Sequence, residues 1–447
     1  MFSDRTNWKL AQNRLTLALE DARARGAKIL DLTVSNPTRV GLEYDSPAIL
    51  GALNSAWALD YDPQAKGLLD AREAVAEYYR GDHGVSDLDA ERIILTTSTS
   101  EGYSYVFRLL CNAGDELLVP KPSYPLFEFL ADLQDVKLVP YPLIYDHGWQ
   151  MDFPSLERAV TARTRGVVVV HPNNPTGSYV AAGEGKLLNA FCRERGLALI
   201  VDEVFLDYRL NGGSVDKNNG GTSNGHVGTA ALGRPVEQSS TVPQLPGLAT
   251  AARPFDRLRT GTGAPQVFSH SSFVANRDVL TFTLSGLSKI SALPQMKVAW
   301  VVTNGPRDQA VEAMARLEVI VDTYLSMNAP VQWAVPTLLE QRKSIQKQLL
   351  ERVQRNLAEL DRQLAAQQVC SRLSVEGGWY AVLRVPVVQS DEELAIALVR
   401  EKSVLVHPGH FYDFPRDGYL VVSLIALAEE FAGGVARIVS FLNNATS

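Results

Sequence analysis

The sequence has 447 residues, of which 43 are Lys or Arg and 50 are Asp or Glu, so its formal net charge is −7. Hydrophobic residues make up 46% and charged residues 21%, proportions typical of globular proteins that exclude disorder throughout the chain. The acidic balance argues against a nucleic-acid binder, and no apolar run approaches the roughly 20 residues that cross a membrane. A polar start and three widely separated cysteines argue against a signal peptide, a disulfide framework and a zinc site, so we expect a cytoplasmic protein.

In chain order, the first predicted element is an amphipathic helix over residues 8–26, followed by a short strand over 29–34. Between about 90 and 205, short apolar runs alternate with helical stretches, as expected of strands that are buried on both faces. The runs are 93–95, 116–119, 137–139, 166–170 and 197–201. This alternation predicts an α/β fold with a mostly parallel sheet flanked by helices.

The second half of the chain opens with a change in composition. Residues 211–265 are rich in Gly, Asn, Ser, Thr and Pro, which predicts a flexible surface insertion. A helical region over about 333–366 then leads into strands at 379–385 and 420–424, which predicts a second, smaller α/β domain. The predicted parts are an N-terminal arm (1–45) that joins the small domain, a large domain (46–325), and a connecting helix with the small C-terminal domain (326–447).

Four short elements carry side chains suited to catalysis. Lys289 stands among small residues, where it can meet a carbonyl group and form a Schiff base. Asp202 ends an apolar strand, where its carboxylate can keep a pyridinium nitrogen protonated. The loop 171–177 offers asparagine amides, and the segment 96–102 places hydroxyls and amides at a helix N-terminus suited to a phosphate. Each element alone has an ordinary alternative: a surface lysine, a capping aspartate, a turn or a plain N-cap.

In this order, the motifs resemble those of fold-type I pyridoxal-phosphate enzymes of the class I/II aminotransferase family. The segments that carry the resemblance are PSYP at 122–125, HPNNPTG at 171–177, VDEVF at 201–205 and SGLSKISALPQMK at 285–297. The resemblance spans nearly the whole chain apart from 211–265. It implies the fold-type I architecture, with the large domain binding the cofactor pyridoxal 5'-phosphate. It also implies amino-acid and 2-oxo-acid substrates, without a nucleic-acid or membrane partner.

The resemblance implies roles for residues at matching positions around the cofactor ring. Lys289 would form the internal aldimine and move the proton between the substrate α-carbon and the cofactor. Asp202 would bind the pyridine nitrogen, and Asn174 would bind the phenolic oxygen. Tyr124 would stack on the ring.

A second set of matching positions would bind the cofactor phosphate. Thr99 and Ser100 would hold it through their amides and hydroxyls. Lys297 falls where the family usually has an arginine, a change that keeps the charge but loses the bidentate geometry. Tyr61 matches a tyrosine that reaches the phosphate from the other subunit, so the resemblance implies a homodimer.

Three further positions depart from the family pattern. Phe205 stands where many members carry a tyrosine that forms a hydrogen bond with the phenolic oxygen of the cofactor. The absence of this tyrosine hydroxyl should raise the pKa of the aldimine. Ser35 replaces a glycine that is common beside the substrate. Val421 aligns with the arginine that binds the substrate carboxylate, and His410 and Arg416 in the adjacent loop are the candidate substitutes or else ordinary surface residues.

The sequence therefore predicts a pyridoxal-phosphate-dependent aminotransferase that moves an amino group from an amino acid to a 2-oxo acid. A β-eliminating lyase or a decarboxylase on the same fold shares every motif above and is the second hypothesis, which the missing arginine strengthens. A pyridoxal-phosphate sensor usually carries a fused DNA-binding domain, and no basic helix-turn-helix segment precedes residue 30. A nicotinamide dehydrogenase would need a GxGxxG motif after its first strand, which this sequence lacks.

Overall fold

The structure is a computed structural model that describes residues 1–8, 10–125, 127–210 and 272–446. The insertion predicted at 211–265 lies outside these described residues. Within the described ranges, every helix is too short or too polar to pass through a lipid bilayer.

Strands and helices alternate along most of the described chain. The strands are β1 (Leu30–Asp31), β2 (Ile93–Thr96), β3 (Glu116–Lys121), β4 (Lys137–Tyr145), β5 (Trp149–Met151), β6 (Thr164–Val170), β7 (Ala198–Asp202), β8 (Thr281–Gly286), β9 (Ala299–Asn304), β10 (Ser371–Arg372), β11 (Tyr380–Arg384), β12 (Val404–Leu405), β13 (His407–Pro408) and β14 (Tyr419–Ser423). The α-helices are α1 (Arg14–Ala24), α2 (Ser46–Ala52), α3 (Leu69–His83), α4 (Thr99–Leu110), α5 (Phe127–Asp132), α6 (Phe153–Ala159), α7 (Ala182–Arg195), α8 (Leu287–Ile290), α9 (Arg307–Tyr324), α10 (Ala329–Glu340), α11 (Arg342–Leu364), α12 (Asp391–Lys402) and α13 (Ala428–Thr446).

The central sheet of the described residues has eight strands in the order β2-β9-β8-β7-β6-β3-β4-β5. The neighbours from β8 through β7, β6 and β3 to β4 are parallel. In contrast, β9 is antiparallel to both β8 and β2, so β2 and β8 run in the same direction. The carboxyl ends of β2, β3, β6, β7 and β8 therefore lie along one edge of the sheet, where open α/β folds bind their ligands. The predicted mostly parallel sheet is confirmed.

Local sequence explains the elements that lead to this edge. The buried strands β6 and β7 are rich in Val, Leu and Ile, which suits a sheet covered by helices on both faces. Helix α4 begins after Ser98, whose Oγ accepts a hydrogen bond from the Glu101 backbone N–H. Helices α3 and α10 pack on one face of the sheet, and α4 and α9 pack on the other. The site edge thus belongs to a three-layer core of one sheet between two layers of helices.

A smaller antiparallel sheet in the described residues has the strand order β10-β11-β14-β13. Helices α1, α11, α12 and α13 pack around it and share one hydrophobic cluster with its buried side chains. The short β1 pairs in parallel with β12, so the chain before residue 35 joins this second layer. The predicted smaller α/β region is present, whereas its boundaries at residues 45 and 325 remain predictions.

Two predicted elements near the start are shorter in the structure. The first helix begins at Arg14 rather than residue 8, because the Asn13 side chain caps it by accepting a hydrogen bond from the Thr16 backbone N–H. The strand predicted over 29–34 is reduced to Leu30–Asp31. Asp31 Oδ1 accepts a bond from the Thr33 backbone N–H at 2.8 Å, a local turn that ends the strand.

Candidate active site

Lys289 lies at the carboxyl end of β8, in the single turn of α8. Its Nζ lies 3.5 Å from the Ser35 carbonyl oxygen, 4.8 Å from the ring centroid of Trp379 and 5.6 Å from that of Phe205. Burial lowers the pKa of Lys289 to about 8, although the nearby Asp202 carboxylate opposes this effect. A lysine in this environment has a substantial neutral fraction near physiological pH and can act as a nucleophile.

Hydrogen bonds to main-chain carbonyls fix the turn that carries Lys289. The Tyr208 hydroxyl donates to the Lys289 carbonyl oxygen at 2.6 Å, and Gln346 Nε2 donates to the Ile290 carbonyl oxygen at 3.0 Å. The Tyr44 hydroxyl donates to the Ala292 carbonyl oxygen at 2.9 Å. These three donors come from distant parts of the chain, so the lysine backbone is anchored from several sides.

Asp202 ends β7, the strand that neighbours β8. Its Oδ1 accepts a hydrogen bond from the Val204 backbone N–H at 3.0 Å, and its Oδ2 accepts one from the Tyr103 hydroxyl at 3.1 Å. Burial raises the pKa of Asp202 to about 6, whereas the two hydrogen bonds and the charge of Lys289 lower it. The carboxylate is therefore ionised at neutral pH and acts electrostatically on Lys289.

Tyr103 is a site residue that the sequence reasoning missed. Its ring is buried against Phe107 and Phe127, with ring centroids 5.8 and 5.2 Å away, and only its hydroxyl reaches Asp202. Tyr103 follows Thr99 by one helical turn, and residues four apart share a face of a helix. The four-residue spacing could have identified Tyr103 from the sequence, because the helix face that presents Thr99 to the carboxyl edge of the sheet also presents Tyr103.

The N-terminus of α4 offers donors at the same edge of the sheet. Thr99 and Ser100 occupy the first turn, where helix geometry provides no carbonyl acceptor for the backbone N–H groups. The Glu101 side chain folds back to the residue before the N-cap, where its Oε2 accepts bonds from the Thr97 N–H and hydroxyl at 2.6 and 2.9 Å, so it does not use the N–H groups of Thr99 and Ser100. The first turn is thus arranged to bind an anion such as a phosphate.

The loop after β6 contains two neighbouring asparagines with different surroundings. Asn173 Nδ2 donates to the Pro122 carbonyl oxygen at 3.1 Å and to Thr176 Oγ1 at 2.9 Å, so this side chain holds the loop together. Asn174 Oδ1 is buried and has no hydrogen-bond partner among the residues that the structure describes. A buried polar atom without a partner is uncommon and indicates that a ligand completes the site. Of the two amides, Asn174 is the one available to a ligand.

Tyr124, Lys297 and Tyr61 differ in their relation to this site. Tyr124 is partly exposed, and the Asp202 charge contributes, after burial, to the raised pKa of its hydroxyl. Lys297 is exposed in a left-handed conformation with φ 54°, and its ammonium group makes no ion pair in the described part of the chain. Tyr61 is 79% exposed, so its ring packs little against its own chain. The structure brings Tyr124 near Asp202, whereas no contact among the described residues joins Lys297 or Tyr61 to the site.

The structure also shows the surroundings of Val421 and of the two residues that could replace the family's arginine. Val421 is buried in β14, opposite Val382 on one side and His407 on the other. His410 is exposed in the turn after β13. Arg416 Nη2 donates to the Tyr419 hydroxyl at 3.4 Å and is also exposed. Of the two cross-strand partners of Val421, the polar one is His407, which the sequence reasoning did not select.

The residues present fit pyridoxal phosphate. A partly neutral lysine suits its carbonyl carbon, an ionised carboxylate suits its ring nitrogen, and a helix N-terminus suits its phosphate. The unpartnered Asn174 amide oxygen and the buried, unpartnered Trp379 Nε1 are further polar atoms that a polar ligand can satisfy. The residues at the carboxyl edge of this α/β sheet thus have the chemistry that pyridoxal phosphate requires.

Comparison with known proteins identifies the family. The sequence model of the family "Aminotransferase class I and II" matches residues 52–218 and 259–427. The chain is similar to the glutamate-pyruvate aminotransferase AlaA of Haemophilus influenzae, with 25% identity over 430 residues that cover 94% of this chain and 92% of that protein. It is also similar to the alanine aminotransferase of Mycobacterium bovis, with 24% identity covering 94% and 86%.

Solved structures share the fold. An aminotransferase from Escherichia coli superposes with a TM-score of 0.76 and 22% identity, covering 99% of this chain and 98% of that chain. The alanine aminotransferase from Pyrococcus furiosus gives 0.79 and 20%, covering 99% and 100%. The chain therefore belongs to the aminotransferase class I and II family, and the predicted fold-type I architecture and cofactor are confirmed. It is a pyridoxal-phosphate-dependent aminotransferase.

Proposed function

We propose that this enzyme transfers an amino group from a 2-amino acid to a 2-oxo acid, and that Lys289 is its catalytic residue. The supporting observation is the pair of buried, mutually interacting groups Lys289 and Asp202 at the ends of adjacent strands. Burial moves the two pKa values in opposite directions, to about 8 and about 6, so both groups titrate near neutrality. Groups tuned in this way are typical of acid–base sites.

When bound, pyridoxal phosphate supplies a carbonyl carbon that condenses with amines and a protonated ring that accepts an electron pair. Lys289 Nζ would hold the cofactor and, once displaced by the substrate amine, carry the α-proton as a base. Asp202 would keep the ring nitrogen protonated, with Tyr103 positioning its carboxylate. Asn174 would donate to the phenolic oxygen through Nδ2, and Tyr124 would cover the ring.

The phosphate would lie at the N-terminus of α4. Thr99 and Ser100 would donate their first-turn N–H groups and hydroxyls, and Lys297 would add a positive charge from the loop before β9. Tyr61 would contribute a hydroxyl from the second subunit of a homodimer. Its exposure supports this role, as does the exposure of its neighbours Trp57 and Leu59, because adjoining exposed apolar side chains are typical of an interface.

The curated relatives suggest which substrates to test first. Alanine, glutamate and pyruvate come before other compounds, since the names of the relatives are glutamate-pyruvate and alanine aminotransferase. We place the enzyme in the cytoplasm, in keeping with three free cysteines in the described residues. We also propose that the domain boundaries lie at residues 45 and 325, as the sequence predicts.

One experiment tests the reaction type directly. The purified holoenzyme is mixed with each common amino acid without a 2-oxo acid, and its absorbance and the ammonia in solution are followed. A transaminase converts its cofactor stoichiometrically to the amine form and releases the 2-oxo acid, without free ammonia. Continuous release of ammonia or of carbon dioxide by donor alone would instead establish a lyase or a decarboxylase, the second hypothesis.

A further inference from the structure

The position of Val421 in the small sheet defines its neighbours. Cross-strand partners share a face of a sheet, so Val421 lies in a row between Val382 of β11 and His407 of β13. Tyr380, two residues before Val382, points to the same face because side chains alternate along a strand. This row of His407, Val421 and Val382, with Tyr380 beside it, is called here the carboxylate wall.

The Tyr380 end of the carboxylate wall lies close to Lys289. The Tyr380 ring lies 6.3 Å from the Phe205 ring, and the Phe205 ring lies 5.6 Å from Lys289 Nζ. The Tyr380 hydroxyl also interacts with Tyr124 and with Ser35, whose carbonyl oxygen lies 3.5 Å from Lys289 Nζ. A substrate whose amino group lies beside Lys289 Nζ would therefore have this wall close to its remaining groups.

His407 is the group on the wall that can bind an anion. Its Nδ1 lies 3.0 Å from the Tyr412 hydroxyl, while its Nε2 has no hydrogen-bond partner among the described residues. When the Tyr412 hydroxyl donates to Nδ1, Nε2 carries the hydrogen of the neutral ring, and the protonated ring carries a hydrogen on both nitrogens. In both of these states Nε2–H is a donor that is not used within the described chain.

We propose that the His407 imidazole, oriented by the Tyr412 hydroxyl, binds the α-carboxylate of the amino-acid and 2-oxo-acid substrates in place of the family's arginine. This inference rests on the proposed aminotransferase function, and it makes His407 a specificity-determining residue. The aliphatic side chains of Val421 and Val382 beside it are buried and add no charge, so the imidazole carries the polar part of recognition.

The substitution of imidazole for guanidinium makes binding depend on pH. Burial lowers the pKa of His407, and the Asp31 carboxylate of β1 opposes this effect. The Tyr412 hydroxyl faces Nδ1, and Asp391 of α12, which packs near β13, interacts with His410 instead. His407 is therefore mostly neutral at pH 7.5 in the free enzyme. A bound carboxylate stabilises the protonated ring, so binding takes up a proton and strengthens as pH falls.

The first test measures donor binding in the half-reaction of the holoenzyme. Rapid mixing with L-alanine gives the apparent Kd and the limiting rate for His407→Ala, His407→Gln and a matched control, His410→Gln in the exposed turn. We expect the Kd to rise about tenfold or more in His407→Ala, because a charge-assisted bond is lost, with a smaller change in the limiting rate. His407→Gln should be intermediate and His410→Gln unchanged.

The second test does not depend on turnover. Calorimetric titration of the holoenzyme with propionate, in buffers of different ionisation enthalpy, counts the protons taken up on binding. The cofactor environment contributes equally in wild type and in His407→Gln, so the difference between them isolates the imidazole. We expect the variant to take up fewer protons at pH 7.5, by a substantial fraction of one, and to bind propionate with a flatter pH profile.

The outcomes separate this inference from the proposed function. If wild type carries no cofactor, or releases ammonia from donor alone, the proposed function fails. If the cofactor is loaded and alanine converts it, but His407→Ala binds alanine and propionate within about twofold of wild type, only the present inference is overturned. Weaker binding in Arg416→Gln without an effect at His407 would assign the carboxylate to Arg416. Recovery of binding in His407→Ala by adding Val421→Arg would support the wall as the carboxylate site.

Discussion

The hydrogen bond between Tyr103 and Asp202 gives a quantitative prediction. Tyr103→Phe removes the hydroxyl that donates to Asp202 Oδ2 at 3.1 Å but keeps the buried ring packed on Phe107 and Phe127. A hydrogen bond to a charged group contributes about 1.5–3 kcal/mol, and 1.36 kcal/mol corresponds to one pKa unit. The pKa of Asp202, about 6 in the cofactor-free protein, should therefore rise by roughly one to two pH units.

The sign of the effect follows from which form of Asp202 binds the cofactor. The ionised carboxylate pairs with the protonated ring nitrogen, so a raised pKa removes the binding form as pH falls. At pH 7 the ionised fraction drops from about nine-tenths to between roughly one-half and one-tenth, which weakens cofactor affinity about two- to tenfold. At pH 9 both proteins are ionised at Asp202, and their affinities should be nearly equal.

The assay is a titration of the cofactor-free protein with pyridoxal phosphate at several pH values, expressed as the ratio of variant to wild-type Kd. Lys289 titrates in both proteins, so its contribution cancels in the ratio. Tyr141→Phe is the matched control, because this buried hydroxyl donates to the Val168 carbonyl oxygen at 2.8 Å instead of to a carboxylate. A ratio that is the same at pH 6.5 and pH 9 would refute the assignment of Tyr103.

The remaining predictions concern three side chains. Lys289→Ala should lower turnover by roughly a hundredfold or more, because the nucleophile and the base are lost together. Borohydride reduction of the wild-type enzyme should attach the cofactor covalently to Lys289, as seen in peptide maps. Labelling of another lysine would contradict this assignment. Phe205→Tyr places a hydroxyl near Lys289 Nζ and should move the titration of the holoenzyme's visible absorbance to lower pH, whereas an unchanged titration would remove Phe205 from the site. If Tyr61 acts across a dimer, mixing Tyr61→Ala with Lys289→Ala subunits should restore activity, since one site of each mixed dimer is intact. Mixed dimers without such recovery, or a fully active monomer by light scattering, would contradict it.

The sequence predicted the candidate site residues well where reactive or polar side chains come directly after the end of a strand. Asp202, Asn174, Thr99 and Lys289 each come directly after an apolar run or close behind it, and parallel strands bring such ends to one edge. Because this edge is fixed by strand direction alone, an α/β pattern was enough to gather the residues. Their catalytic roles remain predictions until the variants above are measured.

Residues that reach the site through tertiary packing could not be predicted from the sequence. Tyr208 supports the Lys289 carbonyl oxygen from a turn 81 residues earlier, and the Tyr44 hydroxyl supports Ala292 from 248 residues earlier. Such contacts depend on how separate layers meet, which neither propensity nor periodicity encodes. Tyr103 is intermediate, since its helix position relative to Thr99 pointed toward the edge without naming a partner.

The carboxylate wall shows a second reason why sequence-based prediction was incomplete, which is that it did not include the strand register. Sequence proximity placed His410 and Arg416 near Val421 as substitutes for an arginine, yet both are exposed in the structure. The residue opposite Val421 is set by the pairing of β13 with β14, and a slip of one residue would bring Pro408 into that place and turn His407 away. No property of the segment 407–410 alone distinguishes His407 from His410. The choice between them is made by the antiparallel register, so the substrate preference of this enzyme depends on a pairing between strands that sequence motifs do not record.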